Sequence, residues 1–161
     1  MIIRKTTEED IPEIQAIYAE AKNFMRDNGN PTQWNSDYPN EVSARLDMLD
    51  GIGYVCEDEG EVLAVFAFAV KDEPTYNKIY NGAWLDDSQY AFIHRIAVKK
   101  HGQGIVDFCF AECFKMHQNL KIDTHRDNIP MQKVLKRCGF EYCGIIHLEN
   151  GDERLAFQKI D

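Results

Sequence analysis

Several features are scarce in this sequence of 161 residues, and each scarcity excludes a class of protein. No run of apolar residues is long enough for a membrane-spanning helix. The first residues, Met1–Lys5, do not have the form of a signal peptide, so we expect a soluble protein of the cytoplasm with no membrane partner. Basic charge is also scarce, because 18 lysines and arginines face 27 aspartates and glutamates, for a net charge of −9. Without a lysine or arginine cluster, the sequence argues against nucleic-acid binding.

The cysteines do not form a recognisable framework. There are five of them, an odd number, and no two are spaced as C-x-x-C, so the sequence indicates neither a disulfide scaffold nor a metal site. We expect them to be small core residues. With 44% apolar residues, a chain of this length can bury one substantial core, and we expect a single domain over residues 1–161.

The apolar periodicity changes along the chain and predicts the order β α α β β β α β α β β. Asp10 is the expected N-cap of the first helix, because Pro12 must lie in the first turn. The run Val62–Val70 is apolar on both alternating faces, which is typical of a central strand covered on both sides. The Asn150-Gly151 pair predicts a hairpin between the last two strands. This order indicates an α+β fold with a largely antiparallel sheet.

Two long connections carry most of the loop aromatics. Residues 28–40 contain Trp34 and Tyr38, and residues 71–89 contain Tyr76, Tyr80 and Trp84. Loops of this length are often functional. The aromatic rings would either cradle a substrate ammonium or anchor the loops to the core.

A glycine-rich turn follows the strand predicted over Tyr90–Val98. It runs from His101 to Gly104 and opens a helix, so it presents unpaired backbone N–H groups and the positive end of a helix dipole. Such a turn suits a pyrophosphate, although an ordinary tight turn has the same composition.

Three segments together resemble the GNAT superfamily of acyl-CoA-dependent N-acyltransferases. They are His94-Arg95-Ile96-Ala97-Val98, the turn from His101 to Val106, and Asn128-x-x-Met131-x-x-x-Leu135-x-x-x-Gly139-Phe140. The resemblance implies a splayed, mixed sheet of about seven strands with helices on both faces, and acetyl-CoA as co-substrate where two strands diverge. It assigns co-substrate binding to the following residues: Ile96, Ala97, Val98, His101, Gly102, Gln103, Gly104, Ile105, Val106 and Asn128.

The turn departs from the family pattern in two places. His101 stands where the family has Arg or Gln, and Val106 stands where the family has Gly or Ala. Asp107 adds a negative charge beside the expected anion site, which weakens anion binding unless another group offsets it.

His94 is the candidate general base. An amine acceptor is an ammonium at neutral pH and must lose a proton before it attacks, and an imidazole suits that task. Strand alternation predicts that His94 shares a face with Phe92, Ile96 and Val98. A core histidine without a catalytic role is the alternative reading.

The general acid is unassigned. Many family members have a tyrosine seven residues after the asparagine, and here that position is Leu135. Cys138 or Tyr142 would have to replace it, unless the thiolate of coenzyme A leaves without a side-chain acid.

These observations predict an N-acetyltransferase that acts on a primary amine of a small molecule or peptide by direct attack in a ternary complex. The alternatives are an acyl-CoA-binding sensor that has lost catalysis and an interaction domain that binds no nucleotide. A partner subunit could cover Phe110 and Phe114 on the third helix, so a homodimer is possible; the terminal strands could cover them equally well.

Overall fold

Four helices and seven strands form in the computed structural model, which describes residues 1–161. The strands are β1 (Ile2–Lys5), β2 (Gly53–Asp58), β3 (Glu61–Val70), β4 (Ala91–Val98), β5 (Asn119–Thr124), β6 (Glu141–His147) and β7 (Glu153–Ile160). The helices are α1 (Ile11–Asp27), α2 (Glu41–Leu49), α3 (Ile105–Met116) and α4 (Ile129–Arg137). The order of elements predicted from the sequence is confirmed.

One sheet contains all seven strands, in the order β1-β2-β3-β4-β5-β7-β6. Every neighbouring pair is antiparallel except β4 and β5. These two parallel strands pair at only two positions, Ala91 with Leu120 and Phe92 with Lys121. Beyond Phe92 the strands part. The mostly antiparallel sheet predicted from the element order is confirmed, and so is the splay that the family resemblance implies.

Both faces of the sheet are covered. Helices α3 and α4 pack against one face, where the largest apolar cluster includes Phe66, Ile93 and Leu120. Helix α1 covers the N-terminal half of the other face, and the connection 71–89 covers its C-terminal half through Tyr76. Strand β3 is buried on both sides, as its continuous apolar run predicts.

A bulge interrupts β4 at Arg95. His94 lies opposite Ala67 on β3, and Ala97 lies opposite Val65, so β4 has one more residue than β3 over this stretch. Arg95 has φ = 54°, a conformation that favours glycine. The bulge places His94 and Arg95 on the α1 side of the sheet.

The strand-face prediction for His94 is therefore only half correct. Phe92 stacks on His94, with ring centroids 4.4 Å apart, so these two side chains do share a face. Ile96 and Val98 instead pack into the α3 side of the core. A bulge shifts the alternation by one residue, and plain period-two counting does not anticipate it.

An ion pair holds the bulge to α2. The guanidinium of Arg95 binds the carboxylate of Asp47 through two hydrogen bonds, Nε to Oδ2 at 2.9 Å and Nη2 to Oδ1 at 2.8 Å. Arg95 Nη1 also donates to the hydroxyl of Tyr38 at 3.1 Å. Both charged side chains are largely buried, so the loss of one partner leaves the other charge poorly solvated.

The third helix has no bare aromatic face. Phe110 is buried against Phe140, with ring centroids 5.2 Å apart, and the ammonium of Lys159 on β7 lies 4.4 Å from the ring of Phe114. Phe140 and the side chain of Lys159 on β7 therefore cover these rings within the chain, and the homodimer stays a prediction. All five cysteines are unpaired, and Cys56, Cys109, Cys113 and Cys143 are buried. None of the helices has both the length and the apolarity to cross a membrane.

Asp47→Ala should lower the free energy of unfolding by about 3 kcal/mol, because it leaves the buried Arg95 guanidinium without its counterion. Chemical denaturation measures this change. Asp50→Ala is the matched control, since Asp50 is exposed just after the same helix, and its effect should stay within about 0.5 kcal/mol. Equal effects of the two substitutions would contradict the role assigned to the ion pair.

Candidate functional site

A cleft of about 440 Å³ opens where β4 and β5 part. Its wall is formed by β4, β5, the loop 28–40, the start of the connection 71–89 and the β6–β7 hairpin. The polar side chains that line it are Thr32, Gln33, Asn35, Tyr38, Glu73, Thr75, His94, Arg95, Asp123, Thr124, Asn128, Asn150, Asp152 and Arg154. The cleft therefore contains both acidic and basic side chains, and it lies where β4 and β5 are no longer paired.

Three side chains form a hydrogen-bonded chain at this cleft: His94 and Asp123 line it, and Tyr76 is buried behind them. The hydroxyl of Tyr76 donates to Asp123 Oδ2 at 2.6 Å and lies 3.1 Å from His94 Nε2. Because the single hydroxyl proton goes to Asp123, Nε2 of a neutral His94 must be the donor toward Tyr76. Nδ1 of His94 then carries the free lone pair, and it has no hydrogen-bond partner within the protein.

Burial sets the protonation states of this chain. Burial, assisted by the positive charge of Arg95, lowers the pKa of His94 to about 4. Burial raises the pKa of Asp123, although the hydrogen bond from Tyr76 and the charge of Arg154 oppose the rise. The pKa of Tyr76 is raised well above its usual value, chiefly by burial. His94 is therefore a neutral imidazole at pH 7, free to accept a proton, but it is a weaker base than an exposed imidazole, whose pKa is near 6.5.

Gln33 ties the loop 28–40 to the far side of the cleft. Its Oε1 accepts hydrogen bonds from Asn30 Nδ2 at 2.8 Å and from Asn128 Nδ2 at 3.0 Å. Asn128 Oδ1 in turn caps α4 by accepting from the backbone N–H of Met131 at 3.2 Å. Both polar atoms of the Asn128 side chain are therefore engaged in holding the loop after β5.

The glycine-rich turn opens α3 as the sequence indicates. Gly104 is the N-cap of the helix with φ = 72°, a conformation that costs other residues strain. The first helical hydrogen bond runs from the N–H of Phe108 to the carbonyl of Gly104, so the preceding N–H groups of Ile105 and Val106 have no helical partner. These donors and the helix dipole make the turn suitable for an anion.

The negative charge of Asp107 is neutralised within the protein. Arg137 at the end of α4 binds its carboxylate through Nε at 2.9 Å and Nη2 at 2.7 Å. The ammonium of Lys99, on the segment before the turn, pairs instead with Glu61 at 2.9 Å. Asp107 therefore opposes an anion at the turn less than its position suggests.

The other predicted binding residues are distributed around the opening. Ile96 lines the cleft, whereas the side chains of Ala97 and Val98 are buried, so this segment offers its backbone. From Ile93 onward, β4 is paired with β3 alone, and its other edge is free. The ring of His101 stacks on Phe24 of α1 with centroids 3.5 Å apart, and Gly102 and Gln103 are exposed on the same turn. Ile105 is a core residue, and Val106 is half-buried.

None of the three positions weighed as the side-chain acid, Leu135, Cys138 and Tyr142, lies on the cleft. Leu135 is fully buried in the α3 side of the core. Neither Cys138 nor Tyr142 lines the opening, and Tyr142 is exposed on β6. The loop aromatics divide between their two possible uses: Tyr76 and Trp84 anchor the connection 71–89, while Trp34 and Tyr38 line the cleft.

Four polar residues of the site are not predicted by the sequence. The sequence marks Tyr76 only as a loop aromatic, and it predicts no role for Gln33, Asp123 or Arg154. The sequence contains one weak indication of a role for Asp123. Lys121 and Asp123 alternate with apolar residues on β5, which places charged side chains on one face of a largely buried strand. Nothing in the sequence distinguishes Gln33 or Arg154 from other polar residues near loops.

No protein-family model and no curated protein matches this chain. Solved structures do match. A GNAT-family acetyltransferase from Streptococcus agalactiae is 31% identical and superposes with a TM-score of 0.92, over 99% of this chain and 95% of that chain. A ribosomal-protein-alanine N-acetyltransferase from Brucella melitensis is 21% identical, with a TM-score of 0.65 over 100% of both chains.

A third match is a chain of the NatC complex bound to Gag peptide and CoA, with 11% identity and a TM-score of 0.66 over 99% of this chain and 98% of that chain. These more distant matches show likeness of fold alone. The likeness to the streptococcal protein is much closer and extends to sequence. The chain belongs to the GNAT family of acetyltransferases.

The protonation of His94 can be measured directly. In the free protein, NMR titration of its ring should show a neutral imidazole down to about pH 5, with a midpoint near pH 4, because burial disfavours the cation. The unfolded chain protonates near pH 6.5, so His94 makes folding less favourable as pH falls from about 6.5 toward 4. A midpoint at or above 6.5 would show that burial does not control the protonation of His94.

Proposed function

We propose that this protein is an N-acetyltransferase that moves an acetyl group from acetyl-CoA to a primary amine of a small molecule or peptide. The observation that carries the proposal is the opening between β4 and β5, where a free strand edge and a titratable cluster face the same cleft. Transfer is direct, in a ternary complex, because the cleft presents a base and no cysteine or serine nucleophile. The five free thiols suit the reducing cytoplasm, where we expect the enzyme to act.

The residues that surround the opening fit acetyl-CoA. The free edge of β4 at Ile96–Val98 can hydrogen-bond the pantetheine arm as an added strand does. The turn His101–Val106 offers N–H donors and a helix N-terminus to the pyrophosphate, and Arg137 removes the repulsion from Asp107. Asn128 contributes by holding the loop after β5, since its amide is already bonded to Gln33 and Met131.

Acetyl-CoA supplies the activated thioester carbonyl in this reaction. His94 takes the proton that the substrate ammonium must lose, directly or through a water at Nδ1. Tyr76 holds the ring by its Nε2, and Asp123, 3.9 Å from that nitrogen, balances the positive charge that the ring gains. We infer that a backbone N–H on the free edge of β4 near Ile96 donates to the carbonyl oxygen as negative charge develops on it.

The leaving thiolate needs no side-chain acid in this scheme. The family's tyrosine position is occupied here by Leu135, which has no proton to give and is sealed in the core. A thiol has a pKa near 8.5, so its thiolate is a tolerable leaving group. Water can protonate the thiolate after it leaves. Catalysis then depends on positioning and on proton removal from the amine.

His94→Ala should lower kcat/KM for amine acetylation at least tenfold near neutral pH, because no other side chain on the cleft occupies the same place beside Tyr76. Release of the coenzyme A thiol measures the rate. His147→Ala is the matched control: it removes a histidine from β6 that does not line the cleft, so its rate should stay near that of the wild type. A near-normal rate for His94→Ala would remove His94 from the mechanism.

Gly104→Val should weaken acetyl-CoA binding at least tenfold. The substitution strains the backbone at a positive φ and places a branched side chain beside the N–H groups of the turn. Isothermal titration measures the affinity. Gly60→Val is the control, because Gly60 also has a positive φ (85°) with open space around it but lies in the β2–β3 hairpin. Similar acetyl-CoA affinities in the two variants would contradict the assignment of the turn.

The principal alternative is an acyl-CoA sensor without catalysis, which the buried Leu135 favours. A thermal-shift assay with acetyl-CoA and a thiol-release assay with a broad amine panel separate the possibilities. Stabilisation with turnover supports the enzyme, and stabilisation without turnover supports the sensor. The absence of both indicates an interaction domain.

A further inference from the structure

One buried cation on the cleft lacks a counterion. Arg154 on β7 is only 7% exposed, yet its guanidinium makes a single hydrogen bond, from Nη1 to the backbone carbonyl of Glu153 at 2.9 Å. No carboxylate oxygen lies within the 4.0 Å that defines an ion pair. Its unpartnered nitrogens are not among the fully buried polar atoms of the protein, so they remain accessible from the cleft to an anion. Arg95, the other arginine on the cleft, is fully paired with Asp47.

The carboxylates near Arg154 are all engaged elsewhere. Glu153 binds Arg126 at 2.6 Å, Asp152 accepts from Asn150 Nδ2 at 3.2 Å, and Asp123 accepts from Tyr76. Nε and Nη2 of Arg154 therefore remain as two adjacent donors without a protein partner. That pair of donors has the fork geometry that binds a carboxylate with two parallel hydrogen bonds.

The sheet register places Arg154 beside the catalytic cluster. Ala156 on β7 pairs with Asp123 on β5, and Arg154 lies two residues before Ala156 on the same face. Two residues of a strand span roughly 7 Å, so the backbone of Arg154 lies about that far along β7 from Ala156, the residue that pairs with Asp123. Arg154 and His94 line the same cleft.

We propose that Arg154 binds the carboxylate of an amino-acid acceptor whose amine faces His94. This inference rests on the proposed function and narrows it, because it names the class of amine. The carboxylate of the acceptor then pairs with the free Nε and Nη2 donors of Arg154, and its ammonium lies in the part of the cleft lined by the negatively charged Asp123 and Glu73. A zwitterion of this kind adds no net charge to the site.

The surrounding charges favour a carboxylate over a phosphate. Glu73, Asp123 and Asp152 line the same cleft, and one guanidinium faces them without a partner. A dianion would be repelled by these carboxylates, whereas a monoanion with an attached ammonium is attracted to both ends of the site.

Arg154 has a competing role that the experiment must separate. Its charge opposes the rise in the pKa of Asp123 and so helps to keep that carboxyl ionised. If that were its whole function, its loss would slow the acetylation of every amine to the same degree. Recognition of a carboxylate instead makes the loss specific to acceptors that carry one.

The test compares matched acceptors in the thiol-release assay with acetyl-CoA. The panel contains the common L-amino acids, β-alanine, γ-aminobutyrate and the carboxamide of each. The wild type should prefer the best amino acid over its own amide by at least 100-fold in kcat/KM. Arg154→Met should bring that ratio close to one, and Arg154→Lys, which keeps the charge but loses the fork, should give an intermediate ratio.

Each other outcome contradicts one part of the proposal. Turnover of amides as fast as acids by the wild type overturns the carboxylate assignment and leaves the acetyltransferase proposal standing. An equal loss for acids and amides in Arg154→Met assigns Arg154 to the support of Asp123 alone. No turnover across the panel, with acetyl-CoA binding intact, overturns the amino-acid acceptor; no acetyl-CoA binding overturns the proposed function itself. Should Arg154→Met fail to fold, the wild-type ratio and Arg154→Lys still decide the question.

Discussion

The short contact between β4 and β5 is the constraint on which the rest of the structure depends. Two residue pairs hold these strands together, and then the sheet opens. The bulge at Arg95 bends β4 at that point, and the Arg95–Asp47 ion pair holds the bent segment against α2. Without the separation, the edge of β4 would be paired, His94 would be enclosed, and the cleft would not exist.

The cleft contains two kinds of polar group: side chains that hydrogen-bond to one another, and an arginine that lacks a partner in the protein. Tyr76, His94 and Asp123 satisfy one another, so they form a positioned cluster with one free lone pair at Nδ1. Arg154 is not satisfied by the protein and is oriented toward the opening. The first arrangement suits proton transfer, and the second suits the binding of an anion. Their closeness on adjacent strands is what makes an amine with a nearby carboxylate the best chemical match.

Much of the fold could be predicted from the sequence because local rules decide it. The element order follows from apolar periodicity, Asp10 precedes the first helix as predicted, and Asn150-Gly151 turns the last hairpin. The glycine-rich turn was located correctly for the same reason, since a positive φ at Gly104 is a local property. The opening of the sheet was expected from the family resemblance, and the register of β4 and β5 shows it directly.

The site was less predictable because it depends on distant residues and on one irregularity. Tyr76 and Asp123 are 47 positions apart and meet only when the connection 71–89 folds over β5. The bulge sits at Arg95, a residue type that gives no signal for a positive φ, so alternation assigned Ile96 and Val98 to the wrong face. Arg154 is a candidate binding residue because its guanidinium has no carboxylate partner in the folded protein, and a sequence does not show which charges are paired.

Amide hydrogen exchange with and without acetyl-CoA tests the central claim most directly. If the open edge of β4 and the first turn of α3 hold the co-substrate, acetyl-CoA should slow exchange at Ile96–Val98 and at Gly104–Val106. The paired amides of β3 and β7 should change little. Unchanged exchange in both segments, while acetyl-CoA binds the protein, would show that the opening between β4 and β5 is not where the co-substrate lies.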